Sequence, residues 1–413
     1  MKNSVNSLLA MMVVLMGCTK KDVISSSSIT ASTTSSTTTY YYQSGSSVTQ
    51  TGKTWYSTIS DTAAVEVTGA GTYVLTYSDI WSSGATTSTD SSSFYGLNAA
   101  VLATAGSSIT LNNDSITTSG KGGNGVFSYG TSTVSLNTDT ILCTGANAHG
   151  IYAAGGATLT ATNIIATTSG SSASVIATDR GGGTVTVSGG SYSASGGNSA
   201  AVYSTGSITC TGSTLTTTGA EAVVVEGANS VTLKNCTIKS TYNKWGALVY
   251  QSYSGDASGA SGVLTITGGS FTYTGTAGGL FYNTNDSATI YLTGVTLTNS
   301  CDTLIRAMEG AWGAGTATSG GGTLLVTSGQ TLSGMLYADA SSGVTLDLTN
   351  SSAYTGKINP GNVARTAKVI LDATSTWTLT GDTYLTALSD ATASYSNISA
   401  NGYKLYVAGT RIL

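Results

Sequence analysis

Acidic and aromatic side chains recur at fixed places in this chain of 413 residues. Asp179, Glu226, Asp256, Asp286, Glu309 and Asp339 each come shortly after an apolar run, one repeat apart, and the series skips where Thr205 stands. Carboxylates along one edge are oxygen donors of the kind calcium takes in sets of several. Asp256, Asp286 and Glu309 are the candidate ligands, although acids that come singly suit a diffuse acidic edge better than a tight cage. Beside them, Tyr250, Tyr282, Arg306 and Tyr337 stand one residue past Val249, Phe281, Ile305 and Leu336. If the apolar set points inward, the alternation of a strand turns the other set outward. Arg306 fixes that phase, because a buried, unpaired guanidinium is very costly. The expected result is an exposed Tyr-Tyr-Arg-Tyr ladder. Aromatic faces pack on sugar rings, and Arg and acids hydrogen-bond hydroxyls, so the ladder fits a glycan chain. Tyr253 and Trp312 lie in long segments that leave just after the ladder strands. They complete a binding set of Tyr250, Tyr253, Tyr282, Arg306, Trp312 and Tyr337.

Other chemistries find less support. His149 is the single histidine, which argues against a Ser-His-Asp triad or a histidine-rich metal site; a surface or turn position is expected for it. Cys143, Cys210, Cys236 and Cys301 show no C-x-x-C spacing, so zinc is not indicated. Asp179-Arg180 is an adjacent opposite-charge pair ahead of three glycines and reads as a salt-bridged turn.

The elements that position these residues come from a repeat. A short alternating strand, followed five residues later by another apolar residue, recurs as Ile109-Leu111-Ile116, Val134-Leu136-Ile141, Leu159-Ala161-Ile165 and Val185-Val187-Tyr192. Ile208-Cys210-Leu215, Val231-Leu233-Ile238, Leu264-Ile266-Phe271 and Ile290-Leu292-Leu297 continue it. Four residues past each first apolar position stand Asn113, Thr138, Asn163, Gly189, Gly212, Asn235, Gly268 and Gly294. All but Thr138 are Asn or Gly, the types that tolerate a left-handed backbone at a sharp turn. Short strands separated by such corners make one coil of a single-stranded parallel β-helix, an all-β solenoid of ten to eleven coils. Two coils are lengthened, Val231 to Leu264 and Ile290 to Leu324, and insertions on one side of a rigid repeat mark a binding face.

Composition agrees with this reading. Only 8% of residues are charged and 40% are hydrophobic, with 53 glycines and one proline, which fits many turns and little helix rather than disorder. A net charge of −4 without a basic stripe excludes nucleic acid as a partner. At the N-terminus, Lys2, the apolar run Leu8 to Met16 and Leu15-Met16-Gly17-Cys18 read as a secretory leader. Its end resembles a bacterial lipobox, which implies cleavage before Cys18 and acylation of its sulfur; the alternative is an ordinary leader with a chance cysteine. Thr19 after Cys18 favours the outer membrane in a Gram-negative host. The expected organisation is a lipoprotein leader 1–17, an anchored Ser/Thr-rich linker 18–54 and a β-helix 55–413 with a capping last coil.

The repeat resembles right-handed, pectate-lyase-like β-helix proteins of bacterial surfaces, over about residues 63–407. That resemblance implies either a non-catalytic adhesin or a polysaccharide-active enzyme. The expected function is a lipid-anchored, monomeric surface protein that binds extracellular polysaccharide or host glycan. The alternative is a calcium-dependent polysaccharide lyase with Arg306 or Arg180 as base. Asn137-Thr138-Asp139 and Ala148-His149-Gly150 look faintly like hydrolase motifs of the same fold, but lack the paired acids. Ice binding is a third reading, from runs such as Thr158-Leu159-Thr160; the varying coil length counts against a regular lattice-matching face.

Overall fold

The computed structural model describes residues 39–252, 254–311 and 318–413. The chain winds through three strand positions per coil and repeats them in the same order. The first sheet stacks twelve parallel strands from Tyr41–Ser44 to Met335–Ala338. The second stacks fourteen, from Ser47–Thr51 to Ala387–Asp390, and the third ten, from Thr54–Ser57 to Thr296–Asn299. A separate four-stranded stack, from Thr331–Ser333 to Ile398–Ser399, resumes the third position. This is an all-β parallel solenoid of about 14 turns, roughly 60 Å long at a rung spacing of about 4.8 Å.

The count exceeds the expected ten to eleven coils because both ends depart from the apolar pattern. Residues 41–57, mostly assigned to the linker from sequence, form the first coil. Gln43 and Gln50 interrupt its apolar pattern, which hid it. Gln43 is buried and its amide donates to the carbonyls of Gly45, Ser46 and Thr72, while Gln50 accepts from the Tyr73 hydroxyl at 2.8 Å. The leader and Cys18 lie outside the described residues.

Like side chains stack on like in the interior. Val134, Leu159, Val185, Ile208, Val231 and Leu264 form one continuous column of the second sheet, all at most 1% exposed. The turn from second to third sheet is two residues long through ten successive coils, from Gly52-Lys53 to Gly294-Val295. Its first residue is left-handed at every predicted position, from Asn113 at φ 57° through Thr138 at 61° to Gly294 at 58°. Cβ-bearing Thr138 accepts that strain because the corner is fixed by its neighbours in the stack. At the opposite corner, Gly120, Gly145, Gly170, Gly196 and Gly219 approach one another so closely that a Cβ on Gly170 would lie 1.8 Å from the Gly145 carbonyl oxygen.

Two deviations matter for function. One helix, Thr89–Tyr95, interrupts the coil between third and first sheets. Ser88 caps it by accepting from the Ser91 amide, and left-handed Gly96 ends it. The other is a gap where the strands Thr296–Asn299 and Thr331–Ser333 do not pair. There the Gln330 side-chain amide stands in for a peptide, bonding both the N–H and the carbonyl of Val295 at 2.8 Å.

Candidate functional site

The outer face of the first sheet is not bare. Its outward column runs Leu102, Phe127, Tyr152, Ala177, Tyr203, Val224, Leu248, Tyr282, Arg306 and Tyr337 in unbroken register. The helix covers the start of it: a Cβ on Gly96 would meet the Phe127 ring at 2.6 Å and Leu102 at 2.7 Å. Trp245 covers the far part, its ring flat on Tyr282 with centroids 3.9 Å apart. Between these covers lies a groove of two adjoining cavities, about 300 and about 200 Å³. Tyr203, Val224, Leu248 and Tyr250 form its apolar floor. One wall comes from the residues leading into the first-sheet strands, among them Ser174, Asn198, Glu221, Tyr242 and Lys244. The opposite side carries Asp179, with His149 and Ser93 at the helix end.

Carboxylates lie beside and beneath the tyrosine rings. Glu226, 1% exposed, accepts from the hydroxyls of Tyr203 at 2.6 Å, Tyr250 at 2.7 Å and Ser252. Two rungs earlier in the same file, Asp179 accepts from the Tyr152 hydroxyl at 2.7 Å and from the Arg180 amide at 2.7 Å. Burial pushes the Asp179 carboxyl up to about 6 and raises Glu221 from its ordinary value. His149 is buried rather than exposed at a turn. Loss of hydration lowers it to about 4, so its neutral ring donates from Nδ1 to the Ser174 carbonyl at 3.2 Å.

A strap, described at residues 251–252 and 254–262, joins the strand Trp245–Tyr250 to the strand Val263–Thr267 beside this face. Arg180 holds it: the guanidinium bonds Asp256 at 3.0 Å and lies 3.7 Å from the centre of the Phe94 ring on the helix. The salt bridge foreseen at Asp179-Arg180 is therefore made with Asp256, 76 residues away.

The predicted ladder needs correction. Tyr250 is opposite Thr284, and Tyr282 is opposite Leu248, so the two tyrosines stand in adjacent files instead of one above the other. Neither is exposed: Tyr250 is 7% and Tyr282 9% accessible, one held on Glu226 and the other under Trp245. Alignment by residue type misled here, because Ala247 and Val249 both face inward and either fits the column of Phe281; the register pairs Ala247 with it. Arg306 and Tyr337 do follow Tyr282 in register, half-buried, with the guanidinium 5.2 Å from the Tyr337 ring centre. Tyr253 and Trp312 lie outside the described residues.

The acids share the corner between first and second sheets, as expected, but stand on successive rungs and are bound to separate partners. Asp286 accepts from the Gly262 amide at 3.2 Å and the Ser287 amide at 2.6 Å. Glu309 accepts from Ser341 at 2.5 Å, and Asp256 is paired with Arg180. Among the described residues no three His, Cys, Asp or Glu side chains gather as metal ligands. Asp139 is 1% exposed and accepts from the Asp114 and Asn137 amides, a corner brace with no substrate access.

Sequence reasoning missed Tyr203, Val224, Leu248, Glu221 and Tyr242. The signal was a run of apolar residues at successive outward positions of the first sheet, while the second sheet places Thr or Ser at the matching positions from Thr110 to Thr265. No known family, curated protein or solved structure matches the chain.

Proposed function

We propose that the protein is a lipid-anchored cell-surface protein that binds glycans without cleaving them, through the groove on the first sheet. The observation that carries this reading is the groove itself: a tyrosine and aliphatic floor between polar walls that carry Asn198, Glu221, Tyr242 and Lys244. Apolar floors with a few placed polar groups are how small-ligand sites win both affinity and orientation. The anchor rests on Leu15-Met16-Gly17-Cys18. Lyase chemistry fits less well, since Arg180 is tied to Asp256 and Arg306 is stacked on Tyr337. The test is retention of the protein on a panel of plant, algal and host polysaccharides, with absorbance of unsaturated products followed in parallel. Retention lost in Val224→Trp, which fills the groove, supports the reading. Product formation that stops with chelator overturns it in favour of a lyase.

A second reading has one specific observation behind it. The insertions all flank the first sheet, so the second sheet keeps unbroken register from Ser47–Thr51 to Ser287–Thr293 despite the varying coil length. Its outward files are hydroxyl-rich, such as Thr160, Thr186, Thr209, Thr232 and Thr265. The objection from coil length to a lattice-matching, ice-binding face thereby falls away. Thermal hysteresis that disappears in Thr186→Lys with Thr209→Lys supports this reading, and freezing indistinguishable from a buffer control removes it.

A further inference from the structure

The groove's shape and charge point to one class of ligand, given the reading that it is the combining site. We infer that it receives the terminal sugars of an uncharged or amino-substituted glycan, not the interior of a polyanionic chain.

Closure at both ends is the first argument. At one end the helix is seated directly on the floor column, and Asn124 bonds the Ser92 carbonyl at 3.2 Å to hold it there. Ser93 of that helix lines the end of the groove. At the other end the Trp245 ring lies on Tyr282, one rung past Leu248, and occupies the space a continuing chain would need. From His149 to Leu248 the groove crosses four rung intervals, about 19 Å at about 4.8 Å per rung. That length suits a short run of sugars. A polymer threaded along the face would have to climb over one of the two covers.

Charge is the second argument. Asp179 and Glu221 line the groove, and Glu226 lies directly beneath the hydroxyls of Tyr203 and Tyr250. Lys244 at the rim is the basic side chain among the lining residues. Arg180, the nearest guanidinium along this face, is neutralised by Asp256. Acids in a concave, low-dielectric setting focus a negative potential, which repels uronate or sulfate groups and attracts ammonium. The Tyr203 hydroxyl donates to Glu226, which leaves its oxygen to accept from a ligand in the groove. Sugar hydroxyls and amines supply the donors that such acceptors need.

The test uses the full-length protein in detergent and hexasaccharides of four kinds: cello-, manno-, chitosan-derived and galacturonic. Each is offered with free ends and with bulky fluorescent caps at both ends. The expected result is binding of at least one neutral or amino hexasaccharide, weakened tenfold or more by the double caps, with the galacturonic chain at least tenfold weaker. Glu221→Lys should narrow that last difference several-fold. Equal binding of capped and free chains overturns the closed-end inference, and preference for the galacturonic chain overturns the charge inference. In both cases the groove reading stands, provided Val224→Trp abolishes binding. If binding is insensitive to Val224→Trp, or no glycan binds, the groove reading fails and this inference with it.

Discussion

The same coil presents two different outer faces. On the second sheet, Thr184, Thr186 and Ser188 are exposed, and none of the described residues folds over them. On the first sheet of that coil, Ala177 is fully buried outside the barrel wall, in a second apolar layer with Phe127 and Tyr152. Both faces share one interior, so the interior does not explain the difference. Connection length does. The corner between second and third sheets stays a two-residue turn through ten successive coils and reaches only three and four residues near the far end (350–352 and 372–375), whereas both corners flanking the first sheet admit longer segments. Insertions need something to pack on, and the sequence stacks Leu, Phe, Tyr and Val outward on successive rungs where they arrive, against scattered ones such as Leu142, Ile165 and Tyr291 elsewhere. A rigid repeat thus separates a face that is regular from a face that can be specialised.

The largest effect is expected where the coils touch most closely. Gly170→Val places a side chain inside the approach to Gly145, where even a Cβ would be 1.8 Å from carbonyl oxygen. The clash is with the backbone of Gly145 and Ala146 on the preceding rung and has no side-chain escape, so a loss of about 4 kcal/mol or more is expected. Chemical denaturation measures it. A loss under about 1 kcal/mol would mean that the corners can open, and that the regular side of the molecule owes its regularity to something else.

Next in size is a pH effect confined to buried acids. Burial raises Asp139 to about 7 and Asp114, Asp179 and Asp286 to about 6, from an ordinary 3.8. The folded state therefore holds these protons more tightly than the unfolded chain. Their contribution is fully present below about pH 4 and is lost as pH rises through 6 to 7. Asp372 and Asp61 shift the other way, through hydrogen bonds, but lose their contribution only below pH 4. Stability at pH 5 should exceed that at pH 8 by on the order of 2 kcal/mol for Asp139 alone. Asp139→Asn should flatten the slope between those pH values. An unchanged slope takes the effect from Asp139 and leaves it to Asp114, Asp179 and Asp286.

Much of this division could be read from the amino acids, and the remainder shows why some could not. The eight corner residues from Asn113 to Gly294 and the inward triplets such as Val185, Val187 and Tyr192 announce the solenoid, because each is demanded locally by a turn or a pleat. The first coil was hidden because buried Gln43 and half-buried Gln50 stand where other coils have apolar residues. The groove was hidden for a different reason. Val224 and Leu248 look like core residues, and which side of the sheet they occupy depends on where each strand starts. Ala247 and Val249 both fit the inward column, so apolar spacing alone leaves that start open. The helix did carry a signal in Ser88, Asp90 and Gly96, the cap, first-turn acid and left-handed stop. An all-β composition outweighed it.

The specialised face can be tested without disturbing the fold. Tyr242 lines the groove and is half-buried, with its ring on the wall and not in the core. Tyr242→Ala should weaken glycan binding about tenfold, roughly 1.4 kcal/mol, and leave the denaturation midpoint nearly unchanged. Equal losses of binding and stability would make Tyr242 a structural cover for Glu221 and the strand entry, and would move the combining site elsewhere.

The smallest effect belongs to the regular face. Thr186 is exposed in mid-strand between Thr160 and Thr209 on neighbouring rungs. Thr186→Val keeps the β-branch and the strand preference, so stability should change by less than about 0.5 kcal/mol. Its neighbours' hydroxyls have other acceptors available, as when Thr160 bonds Ser135 at 3.1 Å. A near-zero change means that the hydroxyl files are not kept for folding, since valine would serve the pleat equally well. Solubility of the long bare sheet, or contact with an ordered hydroxyl or water lattice, then remains as the reason for them. Those two separate cleanly: Thr186→Lys preserves solubility but disrupts a lattice match, so a soluble variant that loses ice or surface binding leaves only the second.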